Sequence, residues 1–221
     1  MVFFDVGGTL VDRGDDPAQV LRDLLAGLGV HPGEQEWSGA LRAMAHAYTS
    51  GIYAPTSAAG EDGLWRAMAT AGLGRLRCGA RPDLVAAVAA DLADYPRHYR
   101  PVAGMPELVA ALRARGPVGI ISNWPPSLPG LLRAVGYGTF PVVACSGPLR
   151  CAKPDPGIFR WALREAGVRP EEAWYVGNDT ELDYRPARSL GMRAVLWDPQ
   201  GRARGLVRAG SAEELRALLG L

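Results

Sequence analysis

Four short apolar runs, each breaking off into a residue able to do chemistry, constrain this chain more than any other feature. Val2-Phe3-Phe4 stops at Asp5, and Val118-Gly119-Ile120-Ile121 stops at Ser122 and Asn123. Pro141 to Ala144 is followed by a loop carrying Lys153, and Trp174-Tyr175-Val176 stops at Gly177, Asn178, Asp179 and, a turn later, Asp183. Runs of this length bounded by Gly and polar residues read as buried strands. Helical patterns lie between them: Pro106 to Arg115, Leu128 to Val135, and Gly157 to Ala166 behind Pro154 and Pro156. A helix to Ser189, a strand from Ala194 to Trp197 and a last helix from Ala212 to Leu219 complete the series. The alternation predicts an α/β fold, a doubly wound, Rossmann-like parallel sheet. Such sheets bind ligands at the carboxyl ends of their strands, the edge to which Asp5, Ser122, Lys153, Asn178, Asp179 and Asp183 would all come.

After Asp5, the pair Gly7-Gly8 lets the backbone turn tightly and a ligand approach without a Cβ in the way. Thr9 can hydrogen-bond that turn or the ligand. From residue 14 to 95 the pattern is helical, with no strand. Val20, Leu21, Leu24, Leu25 and Leu28 share a helix face that Gly29 ends, and further helices are expected over Glu36 to Tyr48, Asp62 to Ala71 and Pro82 to Asp94, with a loop at Gly51 to Gly60. The expected organisation is therefore an α/β core of residues 1–13 and 96–221 with a small all-helical insert, 14–95. Trp37 and Trp65 read as helix core, and His31, His46 and His98 as core or surface residues without metal spacing.

Composition narrows the partners. With 24 basic and 23 acidic residues the net charge is +1, so no field favours nucleic acid or an anionic membrane, and a small molecule is the expected ligand. A hydrophobic content of 48% over 221 residues supports a substantial core. Neither a signal peptide nor a membrane-spanning run is legible, so a cytoplasmic protein, monomer or homodimer, is expected. Cys78, Cys145 and Cys151 are odd in number and lack C-x-x-C spacing, which reads as small buried residues rather than disulfides or zinc ligands. Lys153 is the chain's single lysine, among 24 basic residues. A position that stays lysine in an arginine-rich chain points to a need for a compact ammonium.

Together the strand-end residues suit an anionic phosphate: donors at Ser122 and Asn123, an ammonium at Lys153, and carboxylates for a divalent cation such as Mg²⁺. The arrangement resembles the haloacid dehalogenase superfamily of hydrolases over nearly the whole chain. Its four motifs stand as Phe-Phe-Asp5-Val-Gly-Gly-Thr9, Ile-Ile-Ser122-Asn123, Ala-Lys153-Pro-Asp-Pro and Val-Gly-Asn178-Asp179-Thr-Glu-Leu-Asp183. By that resemblance Asp5 is a nucleophile, and Ser122 and Lys153 hold the transferred group, with Thr9 and Asn123 in the same catalytic set. Asp5, the Gly7 carbonyl, Asn178, Asp179 and Asp183 serve Mg²⁺, and the helical insert is a mobile cap that selects the substrate.

Two positions depart from the pattern. Most phosphatases of the superfamily carry a second aspartate two residues after the nucleophile, where this chain has Gly7; glycine can neither protonate a leaving alcohol nor activate water. Asn178 stands where an acid is frequent, so Asp179 is expected to make the main anionic contact with the metal and Asp183 to support it. The leading expectation is a Mg²⁺-dependent phosphatase acting on a small phosphate ester. A 2-haloacid dehalogenase needs no leaving-group proton, but that branch places an aromatic residue at the position of Gly7 and a serine-asparagine pair in the fourth motif. A phosphonate hydrolase would use a cap lysine, which the insert lacks, and a phosphate-binding pseudoenzyme is the non-enzymatic alternative.

Overall fold

The computed structural model describes residues 1–51, 60–76 and 78–221. The chain divides into two compact units, Met1–Asp12 with Arg100–Leu221, and Arg13–Tyr99. In chain order the strands are β1 (Val2–Phe4), β2 (Val11–Arg13), β3 (Tyr99–Pro101), β4 (Val118–Ser122), β5 (Val143–Cys145), β6 (Trp174–Gly177), β7 (Arg193–Trp197) and β8 (Arg208–Ala209).

The first unit is built on a six-stranded sheet in the order β5-β4-β1-β6-β7-β8, parallel throughout. Strand β1 lies inside it, Val2 opposite both Val118 and Trp174 and Phe4 opposite both Ile120 and Val176. A strand with neighbours on both edges and helices on both faces has no polar side, which explains the unbroken Val-Phe-Phe run. Phe3 and Phe4 are completely buried, and Gly119 on β4 makes room for Phe3, because a Cβ there would come within 2.7 Å of its ring.

The helices of this unit are α5 (Met105–Arg113), α6 (Leu128–Ala134), the single turn α7 (Ser146–Leu149), α8 (Pro156–Ala166), α9 (Arg185–Ser189) and α10 (Ala212–Leu218), counted after the four of the other unit. Helix α8 starts where its residues dictate. The Asp155 carboxylate accepts the Gly157 N–H at 2.7 Å, Pro156 takes the first turn, and Gly167 in the left-handed region (φ 64°) ends it. Its face of Ile158, Phe159, Ala162 and Leu163 packs with Phe3, Ile121 and Tyr175. Each such large apolar side chain is worth about 1.5–3 kcal/mol of burial.

Three details depart from the expected pattern. β5 begins at Val143 instead of Pro141: Pro141 has no N–H for a ladder, and the pairing starts with the Val142 carbonyl, which accepts from Ile120 at 2.9 Å. Strand β8 has two residues, too few to leave an alternation. Strands β2 and β3 lie at the boundaries of the two units and carry Asp12, Arg13 and Arg100, so no apolar run announces them.

The second unit holds α1 (Pro17–Gly27), α2 (Glu34–Gly51), α3 (Asp62–Leu73) and α4 (Pro82–Ala93). Most of the loop expected at Gly51 to Gly60 lies outside the described residues, and Gly51 itself closes α2. Trp37, Ala40 and Met44 are buried on α2, and Leu64, Trp65, Ala69 and Leu73 on α3. Gly72 lets the two helices approach, since a Cβ there would stand 2.7 Å from the Met44 sulfur. His31 and His46 are exposed, whereas His98 is buried against the Asp15 carboxylate. Among the described residues no cysteine forms a disulfide, but only Cys145 is fully buried; Cys78, at the turn after α3, and Cys151, in the loop ahead of α8, are half-buried, Cys151 against the sheet's core. Among the described residues no helix is long and apolar enough to cross a membrane.

Candidate active site

At the end of β1 the Asp5 N–H donates to the Val176 carbonyl of β6 at 2.8 Å, fixing the residue at the sheet edge. The loop that follows winds around the Val6 carbonyl, which accepts from the N–H groups of Leu10 and Val11 at 2.9 and 3.0 Å. The two glycines differ in what they require. Gly8 has φ 73° and a Cβ there would collide with the Asn178 amide, so backbone and space both demand glycine. Gly7 has no left-handed backbone; a Cβ there would stand 3.2 Å from Cζ3 of Trp124.

Asp5 is 7% exposed and its Oδ1 accepts from the Ser122 hydroxyl at 2.8 Å and the Lys153 ammonium at 2.7 Å. Among the described residues its Oδ2 has no hydrogen-bond partner. Lys153 also donates to Asp183 Oδ1 at 2.5 Å and to the Tyr175 hydroxyl at 3.2 Å. Burial works against its charge, but Asp5 and Asp183 together outweigh burial and hold its pKa above the usual lysine range. Asp183 is pushed the other way: burial, then the charge of Asp5, raises its carboxyl above the usual range despite the opposing ammonium. Asp5, Asp183 and Lys153 therefore form a buried cluster with two carboxylates to one cation.

Neighbouring groups hold these three in place. The Asn123 side chain grips the main chain of Lys153 twice, donating to its carbonyl at 2.9 Å and accepting its N–H at 2.8 Å. That side chain is thus committed to the loop, leaving Asn123 its backbone for a ligand. Tyr175, fully buried, sets its hydroxyl 2.8 Å from Asp183 Oδ1 and 3.0 Å from the Ile121 carbonyl. Burial, then the charges of Asp183 and Asp5, keeps that phenol protonated well beyond its ordinary range. Gly177 is glycine because any Cβ would overlap the Asp183 carboxylate.

After β6 the chain enters a π-helical turn, Thr180–Tyr184, a form that occurs often at functional sites. Asp179 caps it, its Oδ1 accepting from the N–H groups of Glu181 and Leu182 at 2.7 and 2.8 Å. The backbone N–H of Asp179 in turn donates to Asp183 Oδ2 at 3.0 Å. Thr9, completely buried, makes a long 3.4 Å contact from its hydroxyl to the Asn178 amide oxygen.

These residues suit a hard cation in a particular way. Among the described residues no three His, Cys, Asp or Glu side chains converge as a metal cluster. Both Asp183 oxygens are engaged, whereas Oδ2 of Asp5 and Oδ2 of Asp179 have no partner among the described residues. The donor set that remains, two carboxylate oxygens with the Asn178 amide oxygen and the Gly7 carbonyl, is all oxygen, as Mg²⁺ requires, and the cluster's surplus negative charge favours a cation. Asp5, Gly7, Ser122, Asn123, Lys153, Asn178, Asp179 and Asp183 line one cavity of about 250 Å³, with Thr9 behind Asn178.

Sequence reasoning passed over Trp124 and Tyr175. Trp124 directly follows Ser122-Asn123 and is 8% exposed, lining the same cavity. Its backbone is held from both sides: its N–H donates to the Ser146 hydroxyl at 3.0 Å, and its carbonyl accepts from Gly147 at 3.1 Å and the Cys145 thiol at 2.7 Å.

The sequence model of the haloacid dehalogenase-like hydrolases matches residues 1–191. A zebrafish (Danio rerio) haloacid dehalogenase-like hydrolase domain-containing protein 3 is 42% identical over 79 residues, 35% of this chain and 33% of that protein. A phosphoserine phosphatase of Thermus thermophilus is 41% identical over 97 residues, 42% of this chain and 38% of that protein. The matches thus span little more than a third of those relatives. The crystal structure of a 2-haloacid dehalogenase from Pseudomonas syringae superposes with a TM-score of 0.67 at 25% identity, covering 99% of this chain and 96% of that one.

Proposed function

The chain belongs to the haloacid dehalogenase-like hydrolases, and we propose that it is a Mg²⁺-dependent phosphatase of small phosphorylated molecules that works through a phosphoaspartate on Asp5. The observation that carries this reading is the split use of the Asp5 carboxylate: Oδ1 is held by Ser122 and Lys153, and Oδ2 is free of hydrogen bonds among the described residues. A carboxylate so oriented is set to attack phosphorus. The new Asp5–phosphorus bond forms as the ester P–O bond breaks, its electron pair leaving with the departing oxygen. Water then attacks the phosphorus of the acyl phosphate, releasing inorganic phosphate and regenerating Asp5.

In that scheme Lys153 and Ser122 meet the negative charge of the transferred group, and Asn123 and Tyr175 hold Lys153 and Asp183 where they are needed. With Asp5 Oδ2 given to phosphorus, the Gly7 carbonyl, Asn178 and Asp179 would hold Mg²⁺ beside it, with Asp183 supporting through the Asp179 N–H. When bound, the ion supplies charge neutralisation for the phosphoryl oxygens. Turnover of a phosphate-ester panel with and without Mg²⁺, in wild type and Asp5→Asn, tests the reading. Metal-dependent hydrolysis abolished by Asp5→Asn supports it; hydrolysis unchanged by the substitution refutes it.

A second reading, displacement of halide from a 2-haloacid, is favoured by one observation. Gly7 lacks the aromatic side chain of that branch, but the Trp124 ring stands beside it in space. Halide release from 2-chloropropionate, insensitive to chelator and lost in Asp5→Asn, would select it.

A further inference from the structure

A second acid at position 7 would reach toward the leaving group, because it would have to protonate the departing oxygen. Its first side-chain atom would stand 3.2 Å from Cζ3 and 4.0 Å from Cη2 of Trp124. The benzo edge of the indole therefore flanks the space from which the leaving group departs. The Trp124 backbone is tied at both its N–H and its carbonyl to the segment Cys145–Gly147, which fixes where the side chain starts, and the residue is 8% exposed. Where an acid would stand, the chain has built an apolar, aromatic wall.

The rest of the cavity agrees. Its titratable members are Asp5, Lys153, Asp179 and Asp183, and its large apolar members are Trp124 and Leu182. Asp5 is the nucleophile, while Lys153 and Asp183 are bonded to each other, and Asp179 caps the π-helical turn. None of these is a spare proton donor beside Gly7. A leaving group here must depart as a stable anion and must tolerate an indole edge.

We propose that Trp124 determines specificity for the leaving group, and that the substrates are phosphoryl compounds with a flat, conjugated leaving group, aryl phosphates as a class. This rests on the phosphatase reading above and deepens it. Aromatic contact beyond simple burial is worth about 0.5–1.5 kcal/mol, which converts to about two- to tenfold in affinity or rate.

The test compares wild type, Trp124→Phe and Trp124→Leu on p-nitrophenyl phosphate and acetyl phosphate, two substrates with good leaving groups of which only one is aromatic. Intrinsic reactivity cancels when the ratio of their kcat/KM values is compared across variants. Trp124→Leu should lower the aryl-to-acetyl ratio about two- to tenfold, and Trp124→Phe should largely keep it. Calorimetry with phenylphosphonate and methylphosphonate, which are not turned over, gives a second readout: wild type should prefer the phenyl compound and the leucine variant should not. A ratio and a binding preference that stay the same in Trp124→Leu overturn the assignment of Trp124 while leaving the phosphatase reading intact. No turnover of either substrate by wild type overturns both.

Discussion

Replacing Lys153 by methionine should unbalance the site in a pH-dependent way. The methionine keeps most of the stem, so the packing loss is small and the charge effect dominates. Lys153 is 5% exposed and bonded to Asp5 at 2.7 Å and Asp183 at 2.5 Å, so its removal leaves two buried carboxylates facing each other. Removing one partner of a buried ion pair costs about 3–5 kcal/mol, a large share of the roughly 5–15 kcal/mol that holds a domain folded. In wild type the raised pKa of Lys153 contributes stability fully present at neutral pH and lost only as pH rises through that raised value. In the variant the opposing ammonium is gone, and Asp183, already raised by burial and by Asp5, binds its proton more tightly still in the folded state. Folded protein then holds more protons than unfolded, so stability falls as pH rises above the ordinary carboxylate range.

Urea unfolding should therefore show a small deficit near about pH 4 and the full one near about pH 7, with Lys153→Met/Asp183→Asn recovering part of it at neutral pH. On the kinetic side, losing an electrostatic clamp of this kind costs about 10²–10³ in kcat. A deficit below about 1 kcal/mol, or one equal at both pH values, would refute the charge argument, because an exposed pair behaves that way.

Gly7→Asp alone should gain little on alkyl phosphates, because the new side chain meets Trp124; Gly7→Asp/Trp124→Ala should gain within the about 10²–10⁴ range of a positioned acid, as measured by kcat/KM on an alkyl phosphate. Because Gly7 has no left-handed backbone, Gly7→Asp adds no backbone strain, so Gly7→Asp/Trp124→Ala should melt close to Trp124→Ala alone. Asn178→Asp should bind Mg²⁺ more tightly than wild type in calorimetry, since it adds a carboxylate to a set with few of them. Asp15 is held below the usual carboxylate range, where burial is overcome by hydrogen bonds from His98 and Arg13. Its contribution is present above the unfolded carboxylate pKa and lost as pH falls through the lower folded value, so Asp15→Asn should flatten the acid limb of a melting-temperature profile.

The parts of the fold legible in the sequence are those whose signal is local. β1, β4 and β6 are buried on both faces and end in a glycine or polar stop, so composition alone marks them. β2 and β3 carry charged residues and β8 has only two residues, so their pairing depends on where the chain returns in space. In the site, the single lysine stood out because arginine fills every other basic position, and it lies against Asp5. Trp124 and Tyr175 did not stand out, because a tryptophan after a strand or a tyrosine within one normally signals core. What sets them apart is a contact made across the sheet edge: a ring beside Gly7, and a hydroxyl shared with Lys153 and Asp183. The distinct demands of Gly7 and Gly8 are equally invisible in a Gly-Gly pair.

The proposed chemistry forms its covalent bond at Asp5, and the most direct measurement is to trap the phosphorylated residue. Wild type mixed with excess p-nitrophenyl phosphate and Mg²⁺, quenched in acid within one turnover and digested, should carry one phosphoryl group on the amino-terminal peptide at Asp5, removable by hydroxylamine as an acyl phosphate is. The same experiment on Asp5→Asn should give no label. Release of p-nitrophenol from wild type with no phosphoryl group on Asp5 at any quench time would contradict the account.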